Sequence, residues 1–110
     1  MNYSKYTYMR SIVFYDLPSV SKEEMKISNI FRNELIKLGY FQIQESVYSK
    51  VIQNKQLVDQ AIKKLKKIVP KNGKVRAIVI TEKQYESMYI LCGEYNDNEL
   101  INDTNRYKKI

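Results

Sequence analysis

Four consecutive strand-forming residues, Ile12-Val13-Phe14-Tyr15, run straight into Asp16-Leu17-Pro18. β-branched and aromatic side chains favour a buried strand, and Pro18, with no N–H to give to a ladder, ends it. The strand opened by Met9-Arg10-Ser11 therefore stops on a carboxylate, Asp16, at the rim of a sheet. In a chain of formal charge +7 with no histidine, an acid fixed there suggests a divalent ion or a phosphate-bearing partner. The alternative is that Asp16 accepts backbone hydrogen bonds in the turn before Ser21.

Downstream, helix and strand signals alternate. Ser21-Lys22-Glu23-Glu24 reads as a capping box with Ser21 at the N-cap. The helix it opens places Ile27, Ile30, Phe31, Leu35 and Leu38 on one face, and Gly39 supplies a left-handed stop. Tyr40 to Ile52 is extended, with Phe41, Ile43, Val47 and Val51 on one parity and an interruption at Glu45-Ser46. A second helix is expected from Lys55 to Val69, ending at Pro70. Its apolar arc is Leu57, Val58, Ala61, Ile62, Leu65, Ile68 and Val69, with Lys55, Lys63, Lys64, Lys66 and Lys67 outside it. Lys71-Asn72-Gly73-Lys74 is a turn. Val75 to Thr81 is apolar on both parities near its end, as a central strand would be, and Met88 to Gly93 reads as a further strand.

The order is β-α-β-β-α-β plus a C-terminal strand. This predicts an α+β fold, a ferredoxin-like βαββαβ sandwich with an extra C-terminal strand. Residues 1–95 would form the domain and 96–110 a C-terminal tail that could dock on a neighbouring subunit, a second copy or a larger partner. Two helices cover one face of such a sheet, and the bare face predicts a symmetric homodimer. At 110 residues the chain is one domain. No apolar stretch approaches the ~20 residues of a membrane span, and Met1 to Tyr8 carry no signal-peptide h-region, so the expected location is cytoplasmic. Cys92, the single cysteine, reads as a buried structural thiol in a strand, since no histidine is present to activate it.

The charge is unevenly spread. Lysines outnumber arginines 15 to 4, a bias that translation from an AT-rich genome also produces. From Lys55 to Arg76, however, eight basic residues face one acid, Asp59, so a net +7 lies in this stretch and the rest of the chain is balanced. This is the footprint of a polyanion site or of a solvated helix face. Candidate nucleic-acid contacts are Arg10 and Arg76 on strands and Lys22 at the first helix start, followed by Lys63, Lys64 and Lys67. Lysine-rich contacts read the nucleic-acid backbone and not the bases.

Three stretches, MRSIVFYDLP, FRNELIKLGYFQIQESVYSK and TEKQYESMYILCGE, together resemble the smaller of the two universal CRISPR spacer-acquisition proteins. This is the family of CRISPR-associated endoribonucleases, and the likeness is to its type II members, over Met9 to Glu94. The resemblance implies a homodimer that binds double-stranded DNA between two dimers of an integrase subunit, a heterohexamer that captures and integrates new spacers. It also implies that Asp16 binds Mg2+ at the dimer axis. The alternative it carries is a magnesium-dependent endonuclease acting on single-stranded RNA or double-stranded DNA, toxin-like, with Asp16 as the catalytic residue.

Two carboxylates brought together by a two-fold axis suit magnesium, which takes one or two carboxylates and keeps several waters. With no histidine as a base, hydrolysis would rest on metal-activated water. Tyr15 should point to the opposite sheet face from Asp16. Gln42 stands where nuclease-reported relatives carry a basic residue, a departure that counts against ribonuclease activity. Tyr48 reads as core or dimer packing. A third class, an RNA-recognition sheet, ranks last because its Lys/Arg-Gly-Phe/Tyr motif is missing.

Overall fold

The computed structural model describes residues 7–93. Its elements are β1 (Met9–Asp16), α1 (Lys22–Lys37), β2 (Phe41–Gln44), β3 (Val47–Ile52), α2 (Val58–Lys66), β4 (Lys74–Thr81) and α3 (Glu82–Glu86). The four strands form one sheet in the order β2-β3-β1-β4, antiparallel at every pairing. Strand β1 lies between β3 and β4, so each crossover helix spans a strand that the chain adds elsewhere. This is the split β-α-β arrangement that the alternation predicts.

Local chemistry fixes the boundaries of α1. Ser21 Oγ accepts from the Glu24 N–H at 3.1 Å. In return Glu24 Oε1 accepts from the backbone N–H groups of Ser21 at 3.0 Å and Val20 at 3.1 Å. These backbone donors hold the Glu24 carboxyl below its ordinary pKa. At the other end Gly39 has φ +100°. The Gly39 N–H donates to the Ile36 carbonyl and the Tyr40 N–H to the Leu35 carbonyl, both at 3.0 Å, which completes a Schellman stop. The interruption at Glu45-Ser46 is the β2–β3 turn, with Ser46 at φ +60°.

Four expectations need correction. Met88 to Gly93 is irregular, and no fifth strand occurs among the described residues. Cys92 is consequently exposed, not buried. Strand β4 is not central: it pairs only with β1 among the described residues, and its second apolar parity is left open, with Ile78 51% exposed. The second helix is shorter than Lys55–Val69, because Lys55–Leu57 forms a single 3-10 turn before α2 and the helix closes at Lys66. The tail 96–110 lies outside the described residues.

The core lies between sheet and helices. Val13 of β1, Phe31 and Leu35 of α1, Tyr40, Tyr48 of β3 and Leu65 of α2 form one buried cluster, flanked by Tyr15, Leu17, Ile62 and Val75. Of the arc expected on α1, Phe31 and Leu35 are buried while Ile27 and Ile30 are about half exposed, at 47% and 51%. Ile30 sits ~100° around the helix from Phe31, beyond the strip that touches the sheet. Tyr48 is core, its hydroxyl accepting from Arg32 Nε at 3.1 Å.

Among the described residues the opposite sheet face has no helical cover. Along β1 it carries Arg10, Ile12, Phe14 and Asp16, whose partners on β4 are Ile80, Ile78, Arg76 and Lys74. The parity of Phe41, Val47 and Val51 also lies on this side, where Ser49 and Val51 oppose Ile12 and Arg10. Short α3 closes one end only. Arg10 Nε and Nη2 donate to Glu82 Oε1 at 2.8 Å and Oε2 at 2.6 Å, and Arg10 Nη1 donates to Ser49 Oγ at 3.2 Å. The guanidinium carbon lies 4.0 Å from the centre of the Tyr85 ring.

Two outcomes follow for stability. Glu82→Ala leaves a buried guanidinium unpaired and lowers stability by about 3–5 kcal/mol in urea denaturation, whereas the paired swap Arg10→Met with Glu82→Leu recovers most of the loss. At Gly73, φ is +97°, and an added Cβ would lie 2.6 Å from Leu17 Cδ2 and 2.9 Å from the Asp16 carbonyl oxygen. The backbone cannot yield as a side chain does, so Gly73→Ala costs about 1–3 kcal/mol. Thermal unfolding measures that cost, and a shifted Asp16 amide resonance would locate it.

Candidate metal and nucleic-acid surfaces

The placement of Asp16 follows from its neighbours. Leu17 turns into the core flank, and the turn before β4 comes close enough that only a glycine fits at position 73. Asp16 is thus the exposed last residue of β1, on the uncovered face, directly opposite Lys74. Tyr15 points the other way. Its ring meets Phe31 edge-on at 4.9 Å and stacks beside Tyr48 at 6.1 Å. Burial, reinforced by Tyr48, pushes the Tyr15 hydroxyl up to about 12, so it stays protonated at neutral pH and is no base for chemistry at Asp16.

Among the described residues, no three His, Cys, Asp or Glu side chains come together as a metal cluster. At the end of β1 a single chain presents one carboxylate, Asp16, the lower end of the one or two that magnesium commonly takes. Asp16 alone is a minimal donor set for magnesium, and a second carboxylate beside it would make a fuller one.

The candidate cations divide between the two faces. Arg76 is exposed on the uncovered sheet face, opposite Phe14. Lys22 is exposed at the start of α1, and Lys63, Lys64 and Lys67 are exposed on and just after α2, in the helix layer. Arg10 is a correction. It is 1% exposed and committed to Glu82 and Ser49, so it holds α3 to the sheet and cannot reach a phosphate. Gln42 lies on β2 opposite Tyr48, on the helix side and away from the Asp16 face.

Two functional groups had no local signal. Glu82 is separated from Arg10 by 72 residues. Lys50 lies on the helix-facing parity of β3, opposite Ser11. Its Nζ donates to the Leu38 carbonyl at 2.6 Å, at the negative end of α1, and lies 5.8 Å from the centre of the Tyr40 ring. Burial, followed by the charge of Lys64, holds the Lys50 ammonium below the ordinary lysine pKa. An isolated lysine within an apolar strand was the one available hint.

Against known proteins, residues 9–88 match the family model of CRISPR associated protein Cas2. A CRISPR-associated endoribonuclease Cas2 of Campylobacter jejuni is 44% identical over 96 residues, 87% of this chain and 67% of that protein. Its counterpart in Treponema denticola is 41% identical over 95 residues, 86% of this chain and 94% of the relative. One from Streptococcus mutans is 37% identical over 98 residues, 89% of each. A solved structure, a crystal structure of cas2, superposes with a TM-score of 0.56 at 22% identity, covering 83% of this chain and 93% of that one; this likeness speaks to the fold alone. By the span of the family match and the identity of these relatives, the chain belongs to the CRISPR-associated Cas2 family.

Proposed function

We propose that two copies of this chain pair across the uncovered sheet face and act as a DNA-binding scaffold for spacer acquisition. In this reading the dimer works with an integrase, one dimer of this chain between two integrase dimers. The observation that carries the pairing is the uncovered face itself. It presents Ile12 and Phe14 beside a half-exposed Ile78, and Asp16 stands at its rim. An apolar sheet face of this kind is commonly buried by a second copy. Two-fold pairing would bring in the second carboxylate that one chain lacks. Two nearby carboxylates repel unless a cation or a shared proton lies between them, so the pair of Asp16 side chains would hold Mg2+. Bound there, magnesium would supply charge neutralisation and an acidified water.

The second reading, a magnesium-dependent endonuclease on single-stranded RNA or double-stranded DNA, draws on the relatives, which are called endoribonucleases. Asp16 would then be the catalytic residue. Two features of this chain favour the scaffold. It has no histidine, and the tyrosine next to Asp16 faces the core and keeps its proton.

The separating experiment is Asp16→Ala in the purified dimer. The scaffold reading expects DNA binding and spacer integration within about twofold of wild type, on the view that an exposed residue has little effect on folding, with any magnesium-dependent cleavage abolished. Loss of integration in parallel with cleavage would make the chain a catalyst. Cleavage undiminished in the variant would trace the activity to a contaminant. The dimer carries a formal +14, twice the +7 of one chain. If about six phosphates are neutralised, log affinity for duplex DNA should fall with log salt at a slope of about −5, independent of sequence. A near-zero slope in filter binding would overturn the polyanion reading.

A further inference from the structure

If the sheet face is given to the second copy, a polyanion must approach from the helix layer, and that layer contains a cleft lined by cations. Strand β3 and α2 line an open cleft of about 300 Å3. Lys50 and Gln53 line it from the strand side and Gln60 and Lys64 from the helix side, with Leu57 and Ala61 also in its wall. None of the lining residues is acidic. Two lysines thus line one recess with no acidic residue beside them, and the charge of Lys64 is felt at Lys50. Like charges gathered around a concave, partly desolvated space raise its affinity for an anion.

The site is also preorganised. Lys50 is tethered through Nζ to the Leu38 carbonyl at 2.6 Å, which uses one of its three donors and leaves two. Its stem runs alongside Gly39, where an added Cβ would come within 3.3 Å of Cε. Little side-chain freedom remains to be lost on binding, unlike that of a surface lysine. Lys64 is exposed and lines the cleft from the helix side.

We propose that this cleft is an anion subsite for one phosphate group, Lys50 and Lys64 sharing its charge while the Gln53 and Gln60 amides donate to its oxygens. That the phosphate belongs to a nucleic-acid backbone rests on the scaffold reading above; the anion site itself does not. The subsite belongs to the helix layer, away from Asp16, and it gives Lys64 a role that Lys63 and Lys67 lack.

The test uses the full chain, isotope-labelled for NMR, with inorganic phosphate as one probe and duplex DNA as the other. Phosphate should move the resonances of Lys50, Gln53, Gln60 and Lys64 together and saturably. Lys64→Gln should weaken phosphate roughly fivefold, the loss of one charge-assisted contact, while Lys26→Gln, an equal charge change on α1, should leave it unaltered. Lys50→Gln is not the diagnostic variant, because that side chain also caps α1. With DNA, Lys64→Gln should flatten the salt slope of the dimer by about 2, one phosphate per protomer. Phosphate shifts that never saturate, or a Lys64→Gln variant indistinguishable from Lys26→Gln, would overturn the subsite even where DNA still binds. Phosphate held in the cleft by a chain that ignores duplex DNA would sustain the subsite and overturn the scaffold.

Discussion

Strand β1 is hydrogen-bonded along both edges, to β3 on one side and β4 on the other, so its register is fixed twice over. A slip of one residue would turn every side chain to the wrong face. That alternation organises the molecule. Ser11, Val13 and Tyr15 enter the helical side, where Ser11 Oγ meets the Tyr40 hydroxyl at 2.8 Å. Arg10, Ile12, Phe14 and Asp16 face away from it. One end of the outward row is closed by Arg10 and Glu82, the other is left open at Asp16. Adjacent in sequence, Tyr15 and Asp16 are assigned to different worlds, one to the core and one to solvent.

What was legible beforehand divides by range. The strand ending at Pro18, the Ser21 capping box, the Gly39 stop and the break at Glu45-Ser46 are encoded within a few residues of where they act, and each appears in the structure. Tyr15 opposed to Asp16 followed from parity alone; Tyr48 read as core or dimer packing, and the structure makes it core, on the parity opposite to Phe41, Val47 and Val51. The failures are of another kind. Arg10 looked like a free cation because its partner is 72 positions away. The apolar run Met88–Gly93 and the doubly apolar end of β4 looked like interior strands. In the isolated chain these apolar stretches stay uncovered, with Leu91 93% and Tyr89 79% exposed. Apolar pattern reports that a surface is to be buried, and it is silent on whether the same chain buries it.

For the candidate site the same distinction holds. Asp16 was legible because a strand end and a proline fix it. A metal role for it was not legible in the same way, since among the described residues no cluster of three His, Cys, Asp or Glu gathers around it. The basic surface was legible as a quantity but not as a place. Counting charges put Arg10, Arg76 and the α2 lysines in one group, and the sheet separates them into a buried pair, an outward-facing strand residue and a helix-layer array.

That separation bears on how one small domain would handle both a cation and a polyanion. A carboxylate near a phosphate-binding surface repels the ligand over roughly a Debye length, ~8–10 Å at moderate salt. A sheet and its helix layer lie about 10 Å apart, so placing Asp16 on one side and Lys50, Lys63, Lys64 and Lys67 on the other largely uncouples the two. The uncovered face is apolar along its middle and carries Asp16 at one rim with Lys74 and Arg76 across from it on β4; that apolar middle suits a second copy. The helix layer, with its apolar side chains spent on the core and its lysines outward, has the reverse character. Division of labour between the faces needs no additional element: it is the direct result of period-two alternation in β1 meeting period-3.6 amphipathicity in α2.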